Sequence, residues 1–265
     1  MKRKDYFYGK YYKFISPSGY VFAFIDAHSN EGHLLQIITP DKSYYDIAPS
    51  NITICDRTFI FDVHIKGLDL TGSIEMDKYR PLKRKVMGPF RFIPFMECKH
   101  DIYSMHHKLD GSISINNKEI SFKDGYGYIE GDSGTSFPTR YIWYNAVNEN
   151  VSLTVAIATI PFGLFSFTGL LGFILIDNKE YYLSTYNLAK IIKKKDYEIK
   201  IKKRKYCLKI KIYHEEGHEL KAPIRANMHR IIKENIKVPS KVLFIKKRNV
   251  LLSLDNLDSS IEWQD

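Results

Sequence analysis

The chain is expected to fold as an all-β protein with few or short helices, and three features of its sequence say so. Short aromatic or aliphatic runs recur along its length, punctuated by Gly, Pro, Asn or Asp at the spacing of a sandwich or barrel. A sustained period of 3.6 is nearly absent, with Met228 to Ile236 the best helical candidate and a short one. The clearest local pattern, Ser112 to Phe122, alternates strictly around Asn116-Asn117, a pair that tolerates positive φ and so reads as a hairpin turn. With 265 residues, 44% hydrophobic and 14% aromatic, the chain can build one large β domain or two small ones with a shared core.

Taken in order, Tyr6 to Phe14 and Gly19 to Asp26 form a first hairpin about the turn Ser16-Pro17-Ser18-Gly19. Further short runs follow at His33 to Thr39, Ile52 to Cys55 and Thr58 to Ile65. Val151 to Ile176 holds no charged residue and is long enough to span a bilayer, but Pro161, Gly163, Gly169 and Gly172 break it, so two fully buried strands joined by a turn are expected. Tyr197 to Tyr213 alternates apolar residues with lysines, as a ribbon with one buried and one wet face does. Val242 to Ile245 and Val250 to Leu254 supply closing strands.

Composition narrows the function. Cys55, Cys98 and Cys207 lie far apart with no CxxC spacing, against both a zinc ribbon and a disulfide framework, and a reducing compartment follows. The basic start, Met1 to Lys4, leads into tyrosines and lysines rather than an apolar signal core, so a cytoplasmic protein is expected. The net charge of +10 raises nucleic acid as a partner, but the densest run, Lys190 to Lys205, alternates along a strand and forms no basic helix. No nucleic-acid partner is expected, and peripheral attraction to an anionic membrane ranks above it.

Some motifs dissolve on inspection. His214-Glu215-Glu216-Gly217-His218 fits H-E-x-x-H, yet it follows a strand and contains glycine, so a hairpin tip is expected rather than a zinc helix. His106 and His107 point to opposite faces of a strand and do not chelate one ion together. No phosphate loop or dinucleotide fingerprint is present.

The stretch Gly127 to Ala146 concentrates Glu130, Asp132, Arg140 and Trp143 among three glycines and one proline, reading as a loop between strands that carries a site. Tyr128-Ile129-Glu130, Asp132, Gly134, Ser136-Phe137-Pro138, Trp143 and Asn145 resemble the signature of the tocopherol cyclase family, a relative of carotenoid hydratases. The resemblance extends to Pro94-Phe95-Met96-Glu97 with His100, to Ile160-Pro161, to Thr185-Tyr186-Asn187-Leu188-Ala189-Lys190, and to Leu220-Lys221-Ala222-Pro223 with Met228-His229-Arg230. Gly131 and Ser133 depart from it, standing where the family has lysine and tryptophan.

That resemblance implies two lipocalin-like, calycin-type antiparallel barrel halves, 1–125 and 126–265, with the signature opening the second. It also implies a cofactor-free, metal-free cyclase in which an acid protonates a prenyl double bond and a phenol oxygen captures the cation. Burial of an unpaired carboxyl favours its neutral form, and aromatic rings stabilise a cation. Asp132 or Glu130 is the expected proton donor, with Glu97 and His100 relaying or accepting a proton. Trp143, Arg140, Tyr128, Phe95, Phe137 and Asn145 are the expected contacts to a hydrophobic isoprenoid or lipid. The blander readings are a buried Glu130–Arg140 ion pair, a satisfied core histidine at His100, and a non-catalytic carrier of lipids or prenylated quinones.

Overall fold

In the computed structural model the chain, described over residues 6–93, 96–162, 165–213 and 216–264, forms two ten-stranded antiparallel sheets. The first contains β1 (Phe7–Ile15), β2 (Val21–Ser29), β3 (Gly32–Ile38), β4 (Ser43–Ile47), β5 (Ile52–Cys55), β6 (Thr58–Ile65), β7 (Leu68–Met76), β8 (Cys98–Ile115), β9 (Lys118–Ser121) and β10 (Gly125–Gly134). The second contains β11 (Tyr141–Val147), β12 (Val151–Phe162), β13 (Phe165–Ile176), β14 (Lys179–Tyr182), β15 (Lys190–Lys195), β16 (Glu198–Lys203), β17 (Tyr206–Ile212), β18 (His218–Ile224), β19 (Asn227–Lys246) and β20 (Asn249–Gln264). Three short 3-10 turns are the helical content of the described residues.

The two sheets share a topology. The first runs β4-β3-β2-β1-β10-β8-β7-β6-β5 and the second β14-β13-β12-β11-β20-β19-β17-β16-β15, with β9 and β18 as side pairings. In each, the first strand pairs with the last, so the sequence-consecutive strands four and five become the two edges and the sheet curls toward a barrel. The changeover between sheets lies between Gly134 and Tyr141. The expected division at 125/126 therefore shifts. Gly125–Gly134, placed by the sequence reading at the opening of the second half, is a central strand of the first, hydrogen-bonded to β1 and β8.

Each half fills its own interior with one parity of its strands. Tyr12, Phe14, Phe22, Phe24, Phe59 and Phe61 stack in the first, and Ile142, Tyr144, Leu208, Ile210, Val242 and Phe244 pack in the second. The opposite parity of the central strands does not meet water. Tyr11, Tyr128, Tyr141, Trp143, Phe173 and Ile232 form a third core between the halves. Faces that a lone barrel would expose are thus buried against one another, with whatever polar residues they carry.

Several sequence expectations are met and others corrected. Asn116 and Asn117 take φ of 50° and 66° at the β8–β9 turn, as the hairpin requires. Met228 to Ile236 is strand rather than helix: Met228, Ile232, Glu234 and Ile236 are buried in alternation, a period of two obscured in sequence by the acid at a buried position. Val151 to Ile176 is a hairpin, not a membrane helix, and among the described residues no helix is long and apolar enough to cross a membrane. Its strands are buried over Val151–Val155 and Leu170–Leu175, but Pro161, Phe165, Ser166 and Thr168 near its tip are exposed. His214 and Glu215 of the H-E-x-x-H match lie outside the described residues; His218 opens β18, with its Nε2 2.9 Å from the Pro40 carbonyl.

Gly134 ends β10 at φ +153, where an added Cβ would sit 2.0 Å from the Glu97 carbonyl oxygen. Gly134→Ala is expected to destabilise the fold by roughly 2–4 kcal/mol through this clash and its backbone strain. A urea titration that finds an unchanged midpoint would refute the close approach.

Candidate active site

The site is assembled by alternation on neighbouring strands. Asp132 and His100 are directly paired across β10 and β8, and Glu130 and Cys98 lie two residues along on the same face of their strands. The imidazole of His100 therefore sits between two carboxylates, 3.1 Å from Asp132 Oδ1 and 3.6 Å from Glu130 Oε2. Burial alone would drive its proton off, but Glu130 and then Asp132 outweigh that and raise its pKa to about 9. His100 is an imidazolium at neutral pH. Cys98 Sγ donates to the same Asp132 oxygen at 3.5 Å.

Glu130 is a carboxylate built to accept. Tyr128 O–H donates to its Oε2 at 2.5 Å and Trp143 Nε1–H to the same atom at 3.0 Å. Its pKa stands above the usual carboxylate range: burial first and the neighbouring Asp132 raise it, against the pull of His100 and these two donors. Behind it runs a buried line of donors: Lys13 Nζ to Asn145 Oδ1 (3.0 Å), Asn145 Nδ2 to Thr154 Oγ1 (3.0 Å), Thr154 Oγ1 to Tyr128 OH (2.9 Å), then Tyr128 to Glu130. Lys13 belongs to β1 and Asn145 to β11, so the line joins the two halves. Burial holds Lys13 down, to about 8.

A second acid system comes from β19 and β20. Tyr141 O–H donates to Glu262 Oε2 in a short bond, and Tyr11 O–H to Glu234 Oε1 at 2.7 Å. Glu262 is pushed well above the carboxylate range, by burial first and then by repulsion from Glu234, Glu130 and Asp132. The Tyr141 hydroxyl pulls the other way, but burial and the three carboxylates prevail and favour the protonated form of Glu262.

These groups face one cavity of about 170 Å³ between the halves. Its polar wall carries Tyr11, His100, Glu130, Asp132, Tyr141 and Glu262, and its apolar walls include Met87, Phe90, Trp143, Ile160, Leu171 and Ile232. Of the residues expected from sequence, Glu130, Asp132, His100, Trp143 and Phe137 line it. Glu97 is exposed at its rim, where its carbonyl oxygen accepts the Thr135 and Ser136 N–H groups. The expected Glu97–His100 relay is replaced by Asp132 and Glu130, which are the carboxylates beside the ring.

Tyr128 and Asn145 are buried behind the wall as support rather than contacts. Arg140 is exposed, stands outside the cavity lining and forms no ion pair with Glu130 among the described residues, so the expected Glu130–Arg140 bridge is not formed; Arg230 instead holds that loop through the Pro138 and Thr139 carbonyls. Phe95 lies outside the described residues. Gly131, where the related signature has lysine, has no room for a side chain here: a Cβ would approach the Gly9 carbonyl to 2.5 Å. Tyr11, Lys13, Glu234 and Glu262 escaped the sequence reading.

Side-chain atoms of His100, Glu130 and Asp132 lie within 4.8 Å of one another, close enough to draw in around a divalent cation, and His100 Nε2 is buried without a hydrogen-bond partner. Asp26, His28 and His33 make a second such group on β2 and β3, more exposed than the first.

No family model matches the chain, and no curated protein matches it in sequence. Among solved structures it is similar to kievitone hydratase from Nectria haematococca, with 10% identity, a TM-score of 0.60, and coverage of 97% of this chain and 88% of that one. It is also similar to CghA, with 9% identity, a TM-score of 0.61, and coverage of 98% and 88%. CghA solved with Sch210972 gives 9% identity, a TM-score of 0.62 and the same coverage. At these identities the likeness bears on architecture: the chain has the all-β, two-sheet, lipocalin-like fold of these proteins, as the signature implied, while ring closure is not addressed by it.

Proposed function

We propose that the chain is an acid–base enzyme acting on a hydrophobic, alkene-bearing substrate of isoprenoid or prenylated-phenol type. The observation that carries this is an apolar cavity holding two buried carboxyl groups in unlike surroundings: Glu262 among other carboxylates with the Tyr141 hydroxyl on it, and Glu130 beside the His100 ring with two donors on one oxygen. Paired groups whose surroundings push their proton affinities apart are how one site supplies both an acid and a base.

In this reading Glu262 gives its proton to an alkene carbon, and the carbocation sits against Trp143 and Tyr141. An oxygen nucleophile then adds and passes its proton to Glu130. A phenol of the same molecule closes a ring and a water yields an alcohol; in either case the proton returns from Glu130 to Glu262 to complete the cycle. The sequence reading placed the donor at Asp132 or Glu130; the hydrogen bonds favour Glu262 in that role, because two donors meet on Glu130 while Tyr141 is the one hydrogen-bond donor to Glu262 among the described residues. Kievitone hydratase, similar in fold, is by its name a hydratase, which supports keeping water among the nucleophiles.

The test is mass spectrometry on a prenylated hydroquinone incubated with the protein, alongside an organic extract of the purified protein. Cyclisation leaves the mass unchanged and hydration adds one water. Asp132→Asn and Glu130→Gln are expected to lower turnover by about 10²–10⁴ while leaving ligand affinity within a few-fold. A ligand in the extract with no turnover of any prenylated probe would favour the carrier reading. Loss of turnover on dialysis against a chelator, restored by a divalent metal, would instead assign the His100, Glu130 and Asp132 group to a metal.

A further inference from the structure

We propose that the rim of this cavity docks on an anionic lipid bilayer, which delivers the substrate; the proposal rests on the apolar-substrate reading of the cavity. Phe92 and Phe165 are 73% and 80% exposed, unusual for side chains that normally anchor cores. They come from separate elements, the 3-10 turn Gly88–Phe92 and strand β13, which meet through Phe90 and Phe167, with ring centroids 6.0 Å apart. Phe90 is part of the cavity wall, as are Ile160, Pro161 and Gly169 of the same hairpin. The exposed phenyl groups thus stand two residues beyond a contact at the cavity wall. Leu188, 67% exposed, ends the 3-10 turn Thr185–Asn187, whose Tyr186 packs edge-on against Phe90 at 5.7 Å.

Charge selects the partner. Lys83, Arg84 and Lys85 are exposed just before the first turn, and the Arg91 guanidinium lies 4.4 Å from the centre of the Phe92 ring. Among the described residues the carboxylates near this edge are Glu97 at the rim, Glu180, which accepts the Lys83 backbone N–H at 3.2 Å, and Asp177 beside it, where Lys179 and Lys203 add further positive charge. Apolar side chains flanked by a surplus of basic ones suit the boundary between headgroups and acyl chains, where phenylalanine inserts and cations meet anionic lipid. A protein partner would have to cover the same apolar rim and so close the cavity. A bilayer covers it with the solvent from which an isoprenoid must come.

The test is co-sedimentation with vesicles of phosphatidylcholine alone or mixed with phosphatidylglycerol. Binding is expected with the anionic vesicles, weakening as salt rises. Phe92→Ser with Phe165→Ser is expected to reduce the bound fraction at least tenfold, and Lys85→Ser or Arg91→Ser about fivefold each. All four positions are exposed, and circular dichroism checks that the variants fold. Equal retention of the wild type and the double phenylalanine variant, or no dependence on phosphatidylglycerol, would overturn the proposal. Binding of a prenylated hydroquinone in detergent, measured on the same variants, separates the two claims. Its loss in the wild type would strike the cavity reading, while vesicle retention reports on docking alone.

Discussion

Glu262→Gln is expected to abolish most turnover, by about 10²–10⁴, and to leave binding of the hydrophobic substrate almost untouched. Glutamine keeps the shape of the side chain and can still accept the Tyr141 hydroxyl, so the wall of the cavity survives while its proton does not. The pH dependence sharpens the claim. Turnover requires Glu262 protonated and is therefore lost as pH rises through its elevated pKa, whereas it requires Glu130 ionised and is lost as pH falls. Glu262→Gln should remove the alkaline limb from the residual rate and Glu130→Gln the acid limb. A Glu262→Gln enzyme with wild-type turnover would return the donor role to Asp132 or Glu130. Unchanged profiles in both variants would dismiss acid–base catalysis from this cavity.

The difference between these acids was not visible before folding, for a specific reason. Sequence alternation identified the strands well: Ser112 to Phe122, Tyr197 to Tyr213 and the first hairpin all appear where their patterns put them. A rare cluster of glycines and chemistry-bearing side chains marked the stretch of Glu130, Asp132 and Trp143, and the family resemblance added His100 from another segment. Alternation tells which residues share a face but not what covers that face. In β1, β11, β19 and β20 the parity that would face water in a single barrel faces the other half, so Lys13, Glu234 and Glu262 read as ordinary surface positions, and Asn145 entered only through the signature. Glu234 even disguised its strand as a helix. The matching strand order of the two halves was equally hidden, since pairing of first with last strand is a long-range fact that no local window contains. Arg140 illustrates the opposite error: it sits beside the acids in sequence, but the turn between β10 and β11 carries it outward.

Folding stability is expected to fall as pH rises from about 7 to about 9 and then to recover. Four buried groups of opposed sign set that course, and one of them, His107, lowered by burial from 6.5 to about 4, adds stability as pH rises between those values and so offsets Glu234 there. Burial raises Glu234 from 4.5 to about 7, so the unfolded chain releases this proton first, and the folded state loses ground across that interval. His100 is raised from 6.5 to about 9 by its carboxylates against the pull of burial; its contribution is complete below the lower value and gone above the upper one. Lys13, lowered by burial from 10.5 to about 8, costs stability while charged and ceases to do so as it deprotonates in the fold between those values. Each effect is on the order of 3 kcal/mol at full extent, large against the few kcal/mol by which a domain is stable. Urea titrations at pH about 5, 7 and 9 check the profile, and Glu234→Gln should raise stability at pH about 7 relative to pH about 5 while leaving the fall from about 7 to about 9 in place. A profile between about 5 and about 7 that Glu234→Gln leaves unchanged would mean that Glu234 is already ionised in the fold and paired with Lys13. The buried charges at the junction would then hold the halves together, instead of being carried there, at the expense of stability, for the chemistry of the cavity.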